Sequence, residues 1–192
     1  MQFPLILASA SPQRKTLLEG LGLDFEVVPS SIDERDCREK NPAKRAVQLA
    51  SLKAKDVAKK QSGKWIIGCD TLVEAHDGTI LEKPIDALEA REMIEKQSGK
   101  TSLVHSGLSL IDPKGSEVKD LSTSSVRFKK LSTKEIDDWI GHGLWQGRSG
   151  SFQIDGLGQF LIEHIEGDWT SIVGFPVFLF GQLADKAGLR LS

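Results

Sequence analysis

Hydrophobic and polar positions along the chain divide it into short apolar runs and amphipathic segments. Residues 3–9 form an apolar run without polar alternation, which is typical of a strand buried on both faces. Ser11 and Pro12 follow as a helix N-cap and first-turn pair, and leucines at 17, 18 and 21 supply an apolar helix face. The pattern therefore predicts a strand that runs directly into a helix at the start of the chain.

The same signals recur further along. Helix starts are predicted at Asn41-Pro42, Asp86, the Ser132–Glu135 capping box and Pro176, and a hairpin turn at residues 76–78. Two long strand-like runs, residues 101–113 and 117–129, lie between these helices. Strands that alternate with helices early, followed by long hairpins, predict an α/β fold with a mixed sheet. No linker or repeat interrupts the pattern, so we predict one domain over residues 1–192.

Composition excludes several classes of function. The chain has 192 residues, of which 39% are hydrophobic, and a net charge of −2, so no basic field favours a nucleic acid polymer as partner. Cys37 and Cys69 are far apart and form no CxxC motif, which argues against a disulfide framework or zinc site and favours a reducing cytoplasm. No apolar segment reaches the ~20 residues of a membrane helix, so no membrane association is expected.

The predicted strand–helix junction carries the first candidate chemistry. A strand that ends at Ser9 and a helix that starts after Ser11 leave free backbone N–H groups at the positive pole of the helix dipole. The two hydroxyls and Arg14 beside them form an anion site, most naturally for phosphate. The alternative is a plain N-cap at Ser11 and a solvated Arg14.

Four more ionic residues stand at strand ends or among apolar positions. Asp70 lies within a strand-like run, where a carboxylate is costly unless it is paired, metal-bound or in a cleft. The alternative for Asp70 is an edge strand facing water. Lys53 interrupts an apolar helix face, and its side chain either extends along the surface with the ammonium in water or reaches inward to an anion. Glu34 stands in a charged loop, and Lys83 stands at the end of a predicted strand. Such residues suit metal-assisted hydrolysis of a phosphate ester or anhydride.

The ordered motifs of the chain resemble one known family. They are LASASPQR, SSIDE, LASLKA, GCDT, LEKP, SGK, GSFQIDGLG and EGDWTSIVGFP. In this order they resemble the Maf family of septum-formation-inhibitor-like nucleoside triphosphate pyrophosphatases, over about residues 5 to 185. The resemblance implies an elongated α/β fold with a curved mixed sheet, flanking helices and a cleft between two lobes, similar in shape to inosine triphosphate pyrophosphatases. It also implies hydrolysis between the α- and β-phosphates with Mg²⁺ or Mn²⁺, and a cytoplasmic homodimer.

The resemblance assigns roles to individual residues. Phosphate binding falls to Ser9, Ser11, Arg14, Lys53 and Lys83, activation of water to Asp70, and the metal to Glu34 and Asp70. Two alternatives remain open beside this enzyme: a nucleotide-binding regulator of cell division with little catalysis, and a phosphatase that releases inorganic phosphate from small phosphates.

The resemblance leaves the preferred base open. Family members that prefer dTTP and UTP usually carry Arg, Thr and Gln at the positions of Gln13, Thr71 and Asp155, whereas those that prefer 7-methyl-GTP carry Trp, Gln and Glu. Thr71 agrees with the first group, Asp155 is nearer the second in charge, and Gln13 matches neither. Because O4 of a pyrimidine only accepts hydrogen bonds, an ionised Asp155 is expected to repel it.

Overall fold

The computed structural model describes residues 4–191, in which one mixed sheet of seven strands is flanked by helices. The strands are β1 (Leu5–Leu7), β2 (Phe25–Val27), β3 (Trp65–Glu74), β4 (Ile80–Leu81), β5 (Thr101–Ile111), β6 (Glu117–Phe128) and β7 (Ile162–Glu166). The helices are α1 (Pro12–Gly20), α2 (Pro42–Ala58), α3 (Ala87–Gln97), α4 (Thr133–His142), α5 (Trp169–Val173) and α6 (Val177–Ala187). Short 3-10 turns cover Glu34–Asp36, Ser149–Ser151 and Gly156–Leu161.

Strand β3 lies at the centre of the sheet. The strand order is β2-β1-β3-β5-β6-β7, and β4 pairs with the far end of β3. Strand β1 runs parallel to β2 and β3, whereas the other pairings are antiparallel. The mixed α/β sheet predicted from the sequence is therefore confirmed. In this register Asp70 of β3 lies opposite Gly107 of β5.

Local capping signals place the helix starts as predicted. Ser11, Asn41, Asp86 and Ser132 are N-caps, and Ser132 and Glu135 form the reciprocal capping box. The first strand is shorter than predicted, and Phe3, Met1, Gln2 and Ser192 lie outside the described residues. Helix α5 was not predicted, because its five residues are too few for a periodic pattern. It begins where the Asp168 side chain accepts a hydrogen bond from the Thr170 N–H.

Buried apolar side chains form clusters at both ends of the sheet. Leu7, Leu18, Ile67, Leu108 and Phe180 belong to the cluster beneath α1 and α6. Val73, Ile94, Phe128, Trp139 and Phe152 belong to the cluster around α3 and α4. These two packed regions meet along β3, and residues near that meeting line form the cleft described below.

Helix α2 packs unusually close to the sheet. A Cβ atom on Gly68 of β3 would lie 2.1 Å from the Ala50 carbonyl oxygen, and one on Gly107 of β5 would lie 2.4 Å from the Ala46 carbonyl. Only glycine leaves room for this approach, which is the reason for both residues in otherwise apolar strands. The short distance lets the side chain of Lys53 on α2 reach Asp70 on β3.

Candidate active site

All ten residues selected from the sequence line one cleft of about 560 Å³. The strand–helix junction contributes Ser9, Ser11, Gln13 and Arg14, the middle of the chain contributes Glu34, Lys53, Asp70, Thr71 and Lys83, and the 147–155 loop contributes Asp155. The carboxyl end of β1, the first turn of α1 and the middle of β3 thus open into the same space. This location, beyond the end of a parallel strand pair, is common for ligand sites in α/β proteins.

Arg14 is buried and organises the junction. Its Nε donates to the Gly174 carbonyl (2.8 Å), Nη1 to Ser9 Oγ (2.9 Å) and Nη2 to Thr71 Oγ1 (3.3 Å). The Ser11 N–H donates to Ser9 Oγ (3.2 Å), while the Ser11 side chain makes no capping bond to its own helix. The alternative of a solvated Arg14 is wrong. The guanidinium of Arg14, the hydroxyls of Ser9 and Ser11 and the N-terminus of α1 thus lie together, as a site for an anion requires.

Asp70 is buried in the central strand, 4% exposed, so the alternative of a water-facing edge strand is wrong. Its Oδ1 accepts a hydrogen bond from Lys53 Nζ at 2.5 Å. Its Oδ2 is buried and has no partner among the described residues. Burial raises the pKa of Asp70, although the charges of Lys53 and Arg14 oppose this shift. A buried carboxylate with a raised pKa and one uncommitted oxygen is suited to accept a proton.

Lys53 joins two carboxylates. It lies 2.5 Å from Asp70 and 2.7 Å from Glu34 Oε1, so it reaches inward from α2, the second of the two possibilities left by the sequence. Burial acts to raise the pKa of Glu34, but the charge and hydrogen bond of Lys53 and the charges of Lys83 and Arg14 lower it below its usual range. Lys83 is exposed at the rim. Glu34 therefore stays ionised beside a cluster of cations.

A second group of polar side chains lines the cleft next to the anion cradle. Thr71 Oγ1 lies 2.8 Å from Ser106 Oγ and receives the bond from Arg14. The Gln13 amide fits its neighbours when its Oε1 accepts from Arg148 Nη1 and Nη2 (2.7 and 3.0 Å) and its Nε2 donates to Ser11 Oγ (3.0 Å). Asp155 is exposed at the end of the 147–155 loop, which also contains Arg148. Gln13, Thr71 and Asp155, the three residues that the resemblance connects with selection of the base, thus line the same cleft.

Comparisons with known proteins place the chain in a family. The family described as Maf-like protein matches residues 4–187. This chain belongs to the Maf-like protein family. That finding confirms the resemblance in the ordered motifs, and it covers nearly all of the residues that the structure describes.

Relatives of this Maf-like chain have similar lengths. The dTTP/UTP pyrophosphatase of Syntrophotalea carbinolica is 43% identical over 187 residues, with 96% of this chain and 84% of the relative covered. The protein of the same name from Deinococcus radiodurans is 40% identical, with 96% and 93% covered, and that of Alkaliphilus oremlandii is 41% identical, with 92% of each covered.

Solved structures are more distant. A HAM1 protein from Coxiella burnetii has a TM-score of 0.49 at 14% identity, covering 68% of this chain and 75% of its own. A nucleoside-triphosphatase/dITP/XTP pyrophosphatase from Mycobacterium abscessus has a TM-score of 0.45 at 15% identity, covering 67% and 75%. Among residues 4–191, none of the helices has the length and apolar character needed to cross a membrane.

The Maf-like cleft offers few protein ligands for a metal ion. Within the described part of the chain, no three His, Cys, Asp or Glu side chains are grouped closely enough to hold one. Glu34 and Asp70 are two carboxylates that share Lys53, and Asp70 Oδ2 is uncommitted. Mg²⁺ is typically bound by one or two carboxylates together with substrate phosphates and water. The residues present therefore fit a divalent ion that arrives with a phosphate ligand.

Three arginines that line the cleft, Arg35, Arg45 and Arg148, were missed by the sequence analysis. Arg45 on α2 lines the wall and pairs with Glu82 at 3.1 Å, and Arg148 lies in the glycine-rich loop. The only local signal for Arg148 was that it stands between two glycines after a tryptophan. Helical spacing could have found Arg45, which lies eight residues before Lys53 and hence on the same face of α2.

Proposed function

We propose that this Maf-like protein is a nucleoside triphosphate pyrophosphatase. It hydrolyses the anhydride between the α- and β-phosphates and releases the nucleoside monophosphate and pyrophosphate. The observation that carries the proposal is the convergence, in one cleft, of an arginine–hydroxyl anion cradle and a buried carboxylate with an uncommitted oxygen. The relatives named above as dTTP/UTP pyrophosphatases support the same activity.

The proposed reaction uses the two halves of the cleft differently. Ser9, Ser11 and Arg14 hold phosphate oxygens, and Lys53 and Lys83 balance further negative charge. Asp70 Oδ2 accepts a proton from a water molecule whose oxygen attacks the α-phosphorus, while the bond from that phosphorus to the bridging oxygen breaks and pyrophosphate leaves. The raised pKa of Asp70 strengthens it as a base, and a positioned base typically contributes about 10²- to 10⁴-fold to the rate.

A divalent cation, Mg²⁺ or Mn²⁺, belongs to this proposal. Glu34 and Asp70 are the residues that would hold it, with phosphate oxygens and water as the other ligands. When bound, it supplies charge neutralisation for the phosphate oxygens. Among this chain's own residues, Lys53 keeps both carboxylates oriented toward the cleft.

The relatives narrow the choice of base. All three are named for dTTP and UTP, so we infer a preference for these two nucleotides. Neither a preference for 7-methyl-GTP nor a regulator with little catalysis has support among these relatives. A homodimer and a cytoplasmic location stay predictions from the family resemblance. Light scattering on the purified protein tests the first of these.

Product analysis tests the activity. Purified protein is incubated with dTTP, UTP, CTP, GTP and 7-methyl-GTP, with Mg²⁺, Mn²⁺ or a chelator, and pyrophosphate and monophosphate are quantified. We expect pyrophosphate from dTTP and UTP only when the cation is present, and a fall in kcat of about 10²- to 10⁴-fold for Asp70→Asn. Asp120→Asn, at an exposed carboxylate on β6, is the matched control and should retain full activity.

Three outcomes would contradict the proposal. Nucleotide binding without turnover favours the regulator, and inorganic phosphate as the only product favours a small-molecule phosphatase. Full activity in Asp70→Asn would remove Asp70 from the reaction.

A further inference from the structure

Arg148 is a guanidinium in the wall of the cleft whose protein partners are neutral. It is half-buried and donates to Gln13 Oε1 through both Nη1 and Nη2 (2.7 and 3.0 Å) and to Gln153 Oε1 through Nη2 (3.2 Å). Among residues 4–191, no carboxylate lies within ion-pair distance of it. An arginine in a cleft with amide partners alone retains its charge and its Nε donor for a ligand.

The backbone beneath Arg148 is held tightly. Gly150 and Ser151 both have positive φ (69° and 61°), and Ser151 is the only such non-glycine residue in the described part of the chain. The Gly150 carbonyl accepts from the Gln97 amide (2.7 Å) and the Ser151 carbonyl from the Trp139 indole (2.9 Å). A left-handed serine costs about 1–3 kcal/mol and persists only where its surroundings enforce it. The turn therefore presents Arg148 in one place rather than as a free surface side chain.

Arg148 differs in its partners from the lysine that joins the carboxylates. Lys53 pairs with Glu34 and Asp70, whereas the hydrogen-bond partners of Arg148 are the side-chain amides of Gln13 and Gln153. On one side Arg148 connects to Gln13, whose Nε2 donates to Ser11 Oγ (3.0 Å) at the edge of the anion cradle. On the other side it connects to Gln153, whose Nε2 donates to the Asp155 backbone carbonyl (3.1 Å), so it joins the cradle to the Asp155 end of the cleft.

The chemistry at this end suits a base better than a phosphate. Phosphate oxygens only accept hydrogen bonds, so a site for them would gain nothing from the carboxylate of Asp155. A guanidinium, two amides and a carboxylate together provide both donors and acceptors. The edge of uracil, thymine or guanine, with a carbonyl next to a ring N–H, needs this mixture.

We propose that Arg148 is a specificity-determining residue that donates to the carbonyl oxygen of the base, while Asp155 accepts from the adjacent ring N–H. This inference rests on the proposed pyrophosphatase function and extends it to a substrate class, namely bases with a carbonyl beside a ring N–H. Arg148 supplies from the loop the arginine that the family pattern predicts at position 13, and Gln13 serves as its support. Asp155, expected to repel a pyrimidine O4, then faces N3–H instead.

Substrate selectivity tests the proposal. The ratio of kcat/KM for UTP to that for CTP is measured in wild type, Arg148→Ala and Arg148→Lys, since cytosine replaces the carbonyl with an amino group and lacks the ring N–H. We expect the ratio to fall about 10- to 100-fold in Arg148→Ala, because the two-bond contact that Arg148 and Asp155 together make with the base edge would lose its donor, and such a contact has that value. Arg148→Lys keeps the positive charge but loses the planar set of N–H donors of the guanidinium, so its UTP:CTP ratio should stay close to that of Arg148→Ala. Arg127→Ala, at an exposed arginine paired with Glu163 on the sheet edge, should leave it unchanged.

An exchange variant strengthens the test. Gln13→Arg combined with Arg148→Gln returns the guanidinium to α1 and should restore most of the UTP:CTP ratio. Thermal melts of each variant exclude a folding defect. An equal loss of kcat/KM for UTP, CTP and inorganic triphosphate would assign Arg148 to phosphate binding and overturn the proposal, as would an unchanged ratio. Absence of pyrophosphate from every nucleotide with wild-type protein would instead refute the proposed function itself.

Discussion

Substitution of Gly68 by alanine should damage the active site without touching any residue that lines it. Gly68 is where helix α2 packs against β3, and an added Cβ would lie 2.1 Å from the Ala50 carbonyl oxygen and 2.8 Å from Ala54. Because the contacting atoms are backbone and a helix methyl, no flexible side chain can move aside. The helix must shift by about 1 Å to relieve the overlap.

The shift would reach the cleft through Lys53, which lies one turn after Ala50 on α2 and bonds Asp70 at 2.5 Å. A displacement of about 1 Å at a catalytic group can cost about 10²-fold in rate. Overpacking typically costs about 1–3 kcal/mol of unfolding free energy. For a chain of this size that corresponds to a fall in Tm of about 2–12 °C.

Thermal unfolding and pyrophosphate release, measured on the same preparation, check both effects of Gly68→Ala. The matched control is Gly181→Ala, at a helical glycine of α6 where an added Cβ meets nothing within 4 Å, and it should be neutral or slightly stabilising. A Gly68→Ala protein with the wild-type Tm would refute the packing argument. A lowered Tm with unchanged kcat would refute the link between the position of α2 and catalysis.

Two further predictions concern charged residues. Lys53→Met should lower kcat at neutral pH at least tenfold, by a rough estimate, and move the acid limb of the pH–rate profile to higher pH, because burial raises the pKa of Asp70 and Lys53 is the main group opposing it. Lys53→Arg should retain part of the rate, and an unmoved acid limb in Lys53→Met would contradict this reasoning. Glu117→Gln should lower the unfolding free energy by about 1–2 kcal/mol at neutral pH. Burial raises the pKa of Glu117, but hydrogen bonds from Lys55 and two serines lower it from 4.5 to about 2. This stabilisation is present above the unfolded value and is lost as pH falls toward 2, so urea midpoints of wild type and variant should converge in acid; a difference independent of pH would contradict it.

Local chemistry explains what could be predicted from the sequence. Pro12 in the first turn of α1 and the side-chain caps of Asn41 and Ser132 act within one helical turn, so these helix starts follow from neighbouring residues alone. The anion cradle is predictable for the same reason, since Ser9, Ser11 and Arg14 span a single strand–helix junction.

The tertiary structure decided the residues that meet across long stretches of chain. Asp70 on an edge strand would face water, but β3 lies inside the sheet, where Asp70 is opposite Gly107 of β5 and α2 packs closely over Gly68 and Gly107. Lys53 has the same helical spacing whether it points out or in, and the close approach of α2 at Gly68 turns it inward.

Arg148 is the clearest example of a residue whose contacts join distant segments of the chain. Its sequence neighbours indicate a turn, whereas its contact with Gln13 joins segments 135 residues apart. The sequence by itself determined the longer helices and strands, the caps of Asn41 and Ser132, and the family. The folded chain decided which charges are desolvated and paired, because burial and pairing depend on contacts between segments that no local pattern encodes.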